Sequence, residues 1–308
     1  MSLKLLSPEQ IDALTALPAP DLRVTLAGFR ANALSNLPPA PLEEPAKIED
    51  SSFKGPESDI PIRIYTPDCT GPFPVIIYYH GGGWVIGTLD SYDGVCREMC
   101  VETGAIVISV DYRLSPEAKF PAATEDCYAA VVHVHENAEK YNVDPARIAV
   151  AGDSAGGNLA IVAALMSRDR KGPSIKYQSL IYPSCDMTMN GPHKQSNPSA
   201  VLIPQIMNYI GFADAYLNGP EDMENPYCSP LKADLTGLPP AFVLTCEHDS
   251  LLEEGAELVR RLNEVGVPCE YVNALGLDHG VFHTSRHHFP AVGPYQTAAF
   301  VALKKALF

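Results

Sequence analysis

The sequence predicts an α/β fold, with a mostly parallel central sheet of about eight strands flanked by helices. Three observations carry that expectation. Strand-length apolar runs alternate with helical segments through most of the chain, an order that requires parallel strands joined by helical crossovers on both faces of the sheet. One run, Pro74-Val75-Ile76-Ile77-Tyr78-Tyr79, is apolar throughout, as a strand buried on both faces must be. Further on, Ile148-Ala149-Val150-Ala151 passes through Gly152-Asp153-Ser154-Ala155-Gly156-Gly157 into a helix-length apolar stretch starting at Asn158, which reads as strand, sharp turn and helix.

The elements follow in order. Helix candidates at residues 8–17 and 21–34 exit through Pro38-Pro39-Ala40-Pro41 and Pro45, so residues 1–45 read as a separate helical flap and 46–308 as the main domain. Residues 47–53 and 60–65 are short strand-like segments with a Gly-Pro turn signal between them, expected to pair antiparallel at one sheet edge. After Tyr79 come a helix at 92–102, a strand at 105–110, a helix at 124–141, the strand at 148–151, the helix from 158, and a strand at 179–182. The alternation breaks at residues 186–235. Leu202, Ile206 and Ile210 form an apolar stripe at helical spacing within 201–217, and this segment reads as an insertion over the carboxyl edge of the sheet. A strand at 241–245, a helix at 253–264, a strand at 270–273 and a helix at 295–306 complete the pattern.

The turn around Ser154 has the form Gly-x-Ser-x-Gly, in which Gly152 and Gly156 admit a strained strand-to-helix bend that lifts a serine hydroxyl clear of the sheet. Such a serine attacks carbonyl carbon when a base takes its proton and a carboxylate orients the base. In open α/β sheets these groups lie beyond the carboxyl ends of strands. Asp249 follows one predicted strand and His279 the next, giving the order serine, acid, histidine. Glu247, Glu253 and Asp278 are rival acids, and Asp278 adjoins His279 too closely in sequence to orient its ring. Asp153 is a turn residue of the elbow, not a second nucleophile. An anion-stabilising loop is expected in His80-Gly81-Gly82-Gly83-Trp84, where successive glycines let backbone N–H groups face a tetrahedral oxygen; Gly82 and Gly83, with Ala155 at the helix start, are the candidate donors within a site formed by Gly81, Gly82, Gly83 and Ala155. His279-x3-His283-x3-His287 and His133-x-His135 lack Cys or carboxylate partners at ligand spacing, and Gly280 and Pro290 oppose a long helix there, so neither a metal nor any other cofactor is expected.

Composition narrows the partner. The chain has 308 residues, 46% hydrophobic and 19% charged, enough for a substantial core in one domain. A net charge of −15 repels nucleic acid and anionic membranes and favours a small neutral substrate. The first residues contain too short an apolar run for a signal peptide, no stretch approaches the ~18 apolar residues of a membrane span, and a cytoplasmic protein is expected, with a homodimer left open. Eight cysteines scattered without a Cys-x-x-Cys pair are expected to be free thiols.

The combination of His80-Gly81-Gly82-Gly83-Trp84, Asp111-Tyr112-Arg113-Leu114-Ser115-Pro116-Glu117 with Phe120-Pro121-Ala122-Ala123, Gly152-Asp153-Ser154-Ala155-Gly156-Gly157, and Leu238-Pro239-Pro240-Ala241 leading to Asp249 resembles the hormone-sensitive-lipase family of α/β-hydrolase carboxylesterases over roughly residues 45 to 305. The resemblance implies a serine carboxylesterase without cofactor. It also implies that His80 braces the oxyanion loop instead of acting as a base, and that residues 1–45 and 186–235 form a cap over the acyl pocket. An enclosed pocket would favour short- to medium-chain esters, since each CH₂ contributes only ~0.8 kcal/mol of burial until the pocket is full. One departure is Asp278 before the His-Gly pair, where such families usually carry an apolar residue. A prolyl-oligopeptidase reading would need a large extra domain that about 46 residues cannot supply, and hormone receptors resembling this family lack the triad histidine that is present here as His279.

Overall fold

The computed structural model describes Arg30, residues 43–188 and residues 212–308. The helix candidates at 8–17 and 21–34 (apart from Arg30), the first eleven residues of the candidate at 201–217, and the flap at 1–45 apart from Arg30 and residues 43–45, lie outside the described residues. Within them, eight strands form one sheet: β1 Lys47–Lys54, β2 Asp59–Thr66, β3 Phe73–Tyr79, β4 Ile106–Val110, β5 Val143–Asp153, β6 Tyr177–Ile181, β7 Ala241–His248 and β8 Cys269–Asp278. Their order across the sheet is β1-β2-β4-β3-β5-β6-β7-β8. β1 and β2 pair antiparallel, β2 joins β4 antiparallel, and every later pairing is parallel.

Helices α1 Asp93–Thr103, α2 Ala122–Glu136, α3 Ala138–Tyr141, α4 Ala155–Asp169, α5 Phe212–Tyr216, α6 Leu252–Glu264 and α7 Gly293–Leu307 cover it. The strand period of two sorts the core onto two faces. From β3, Val75, Ile77 and Tyr79 pack with α2, α4 and α6, whereas Ile76 and Tyr78 pack with α1 and α7. All seven residues of β3 are buried, as its uninterrupted apolar sequence requires. In α4, every residue from Ala155 to Ser167 is buried, a helix apolar all round because sheet, α2 and insertion enclose it.

Several boundaries differ from the sequence pattern. The helix predicted at 124–141 is two helices, because Asn137 ends the first by donating its side-chain amide to the His133 carbonyl at 2.8 Å. β5 begins at Val143, five residues before the apolar run, since Val143 still pairs with Phe73 of β3 before a register shift that leaves the polar stretch Asp144–Arg147 out of the ladder. The helix after the elbow starts at Ala155, and β7 and β8 run on to His248 and Asp278. These extensions bring Asp249 and His279 directly to strand ends. All eight cysteines are unpaired. Among the described residues, no helix is long and apolar enough to cross a membrane.

Candidate active site

At the end of β5 the chain turns through Ser154 with φ 55° and ψ −118°, a strained conformation for a residue with a Cβ. Neighbours fix it: Ser154 N–H donates to the Ile181 carbonyl at 2.9 Å, and its own carbonyl accepts from Asn158 and Ser184. Glycine is needed on either side for space. A Cβ on Gly156 would collide with the Tyr79 carbonyl, and one on Gly152 with the Gly156 carbonyl. The elbow therefore packs backbone to backbone against the end of β3.

The three catalytic candidates meet. His279 Nδ1 lies 2.7 Å from Asp249 Oδ2, and His279 Nε2 lies 2.8 Å from Ser154 Oγ. With Nδ1–H donating a hydrogen bond to the carboxylate, Nε2 is left to accept the serine proton. Asp249 is 1% exposed, and its other oxygen accepts the Leu251 N–H at 2.8 Å. Burial pulls the His279 pKa down, but the charge and hydrogen bond of Asp249, together with Asp153 and Glu254, outweigh it, and the net shift is upward from 6.5. The rival acids are elsewhere: Glu247 and Asp278 are exposed, and Glu247 accepts the Gly276 N–H. Tyr182, just after β6, was not singled out in the sequence. Its hydroxyl accepts the Phe282 N–H at 2.9 Å and its ring lies 4.7 Å from that of His279, while Gln296 on α7 donates to the Phe282 and Thr284 carbonyls. Nothing local in sequence marks either residue as a brace for the histidine loop.

The glycine loop is held from several directions. Asp153 is not merely a turn residue: its carboxylate accepts Tyr78 OH and Gly81 N–H at 2.9 Å each and Tyr92 OH at 3.2 Å. The expectation that Gly81 helps to form the anion site is thereby corrected, because its N–H is already taken by a carboxylate. Gly82 and Gly83 have φ of 113° and 60°, and among the described residues no acceptor takes their N–H groups. Ala155 opens α4, where the first N–H groups have no acceptor within the helix. His80 is fully buried, donates Nδ1–H to the Gly81 carbonyl at 2.8 Å, and stacks on Tyr112, whose hydroxyl donates to the His80 carbonyl at 2.7 Å. Burial lowers its pKa to about 4, so it stays neutral as a brace. Trp84 stacks on Tyr216 of α5 with ring centroids 4.3 Å apart, and Phe212 of the same helix covers Gly83. Arg30 donates to the Val85 carbonyl at 2.9 Å, to the Ser115 carbonyl at 2.7 Å, and bidentately to Glu117.

Two features set the chain among known proteins. A family model described as alpha/beta hydrolase fold matches residues 76–283, which span the glycine loop, the elbow, Asp249 and His279. Carboxylesterase NlhH of Mycobacterium tuberculosis is 40% identical over 255 residues, covering 81% of this chain and 79% of that protein. The chain belongs to the α/β-hydrolase family, in its hormone-sensitive-lipase branch. As a member it is a carboxylic ester hydrolase. Esterase LipI of the same bacterium is 40% identical over 80% of this chain and 78% of its own length. Among solved structures, a hyperthermophilic esterase from the archaeon Pyrobaculum calidifontis superposes with a TM-score of 0.83 at 36% identity, covering 97% of this chain and 98% of that one.

Three described histidines named in the candidate metal motifs have partners of their own. His133 stacks on Phe53 and bonds the Tyr141 hydroxyl at 2.8 Å. His283 packs against Tyr92. His287 does meet carboxylates, from parts of the chain that spacing along one helix could not reveal: its Nε2 lies 2.7 Å from Glu43 Oε1, close to Glu98 of α1.

Proposed function

We propose that this carboxylesterase hydrolyses dissolved short- to medium-chain esters through an acyl-enzyme on Ser154. The observation that supports this reading is the continuous relay from Asp249 Oδ2 through both His279 nitrogens to Ser154 Oγ. Ser154 Oγ–H gives its proton to His279 Nε2 as the oxygen attacks the ester carbonyl. The imidazolium formed is stabilised by Asp249, and the tetrahedral anion accepts N–H groups from Gly82, Gly83 and Ala155. Collapse expels the alcohol, which takes the proton from His279. Water, deprotonated by the same nitrogen, then releases the acid and restores the serine.

Residues 1–45 and 186–235 act as a cap in this reading, roofing a pocket of limited depth. The contacts of Phe212 and Tyr216 with the glycine loop, and Asn158 Nδ2 donating to the Ser184 and Cys228 carbonyls, tie the insertion to the catalytic centre. The substrate is a small neutral ester met in the cytoplasm; with a net charge of −15, nucleic acid and stable membrane association are not expected. A panel of p-nitrophenyl esters graded by acyl length tests this. Activity should peak at a modest length and decline, with a fluorophosphonate labelling Ser154 alone. Faster hydrolysis of emulsified long-chain triacylglycerols than of soluble butyrate esters would overturn the chain-length reading, and labelling of another serine would overturn the mechanism.

A further inference from the structure

We infer that Glu43, Glu98 and His287 form a binding site for a zinc-class divalent transition metal, separate from the hydrolytic centre. Each residue places a ligand atom within 4.8 Å of the other two. They come from three parts of the fold: Glu43 lies four residues before β1, Glu98 on α1, and His287 eight residues beyond His279. One imidazole nitrogen with two carboxylates is a donor set that suits zinc and its neighbours better than magnesium or calcium, which take oxygen ligands. Zinc bonds of ~2.0–2.2 Å hold tetrahedral ligand atoms roughly 3.3–3.5 Å apart, so the 2.7 Å Glu43–His287 contact must open while any wider separation closes, a movement open to His287, whose side chain is 40% exposed.

Two buried atoms point independently to a cation. Glu98 is fully buried, yet among the described residues its Oε1 has no hydrogen bond of ordinary geometry, with only the neutral Ser285 hydroxyl beside the carboxyl, and Oε2 of Glu43 has no partner. Arg286 satisfies only the other oxygen of Glu98, Nε to Oε2 at 3.1 Å, and reaches Glu102 at 3.6 Å. A buried carboxylate oxygen without a donor is costly.

The surrounding charges leave room for a dication. Glu98 and Glu102 share one guanidinium, that of Arg286, and Glu43 meets only His287 among the described ion pairs; Lys304, on α7, donates to the Glu102 backbone carbonyl, and Ser285 is neutral. A bound ion would tie α1 and the approach to β1 to the loop that follows His279. It would stabilise that loop without entering the reaction.

The test is a thermal-unfolding titration of the full-length, chelator-stripped protein with Zn²⁺, with Mg²⁺ as control and Co²⁺ absorption as a report on coordination. Zn²⁺ should raise the melting temperature, Co²⁺ should give visible bands of a low-coordinate N/O site, and both should disappear in His287→Ala and in Glu43→Gln. Glu98→Gln is a third variant, and circular dichroism of the metal-free forms separates loss of binding from loss of fold. No shift with Zn²⁺ would overturn the inference. So would a shift that survives in His287→Ala, which would put the ion elsewhere, for instance at His135 or the exposed Cys69.

Discussion

The nucleophile elbow and the glycine loop do complementary work in one site but are built by opposite means. The elbow is made almost wholly by its own sequence: apolar strand, glycines where backbone passes backbone, helix. Its outside support is the end of β3, one carbonyl of β6 and the Ser184 N–H just beyond it. The loop at 80–86 has no regular structure, and its positive-φ glycines are shaped by what surrounds them. Asp153, Tyr112, Arg30 and the α5 pair Phe212 and Tyr216 reach it from four distant places. A locally encoded part should respond to mutation in an all-or-none way, and a part held from outside should respond by degrees.

Ser154→Ala should have the largest effect, a loss of roughly 10⁵-fold or more in kcat with melting temperature nearly unchanged. Steady-state kinetics beside calorimetry check this, and an active variant would end the elbow's claim to the chemistry. Asp249→Asn comes next, with a loss of about 10⁴-fold as His279 loses its orientation. It also tests the electrostatics. His279 must be neutral to act as base, so activity falls as pH drops through its raised pKa, on an acid limb above the ordinary 6.5. Removing the Asp249 charge lowers that pKa, so the residual activity should persist to lower pH. An acid limb that stays put would mean another group sets it.

On the loop, Asp153→Ala strips the acceptor from Gly81 N–H and two tyrosine hydroxyls; we expect kcat to fall about 100-fold with little change in KM. Asp153→Asn keeps an acceptor for Gly81 and should recover most of the loss, which distinguishes hydrogen-bond geometry from charge. The smallest effect is expected at Arg30, where Arg30→Met removes the clamp on Val85, Ser115 and Glu117 and should cost about 10-fold in kcat. Arg30→Lys should not rescue it, since an ammonium cannot reproduce the bidentate contact. If Arg30→Met instead matched Asp153→Ala, the N-terminal segment would govern the loop as strongly as the elbow does.

The sequence alone determined the mostly parallel sheet and the strand, turn and helix around Ser154, and it singled out the candidate serine, acid and histidine. Those rest on local rules: unbroken apolar runs, glycines where a Cβ would collide, and groups that must follow strand ends. Where a side chain's partner lies far along the chain, those rules are silent. Tertiary structure decided that Gly81 is occupied by Asp153, that Tyr182 and Gln296 hold the histidine loop, and that Arg30 grips Val85 from 55 residues away. It also brought Glu43 and Glu98 to His287, which spacing within one segment had excluded as a metal ligand. Periodicity records which way a residue faces within its own element; only the packing of elements fixes what it meets there.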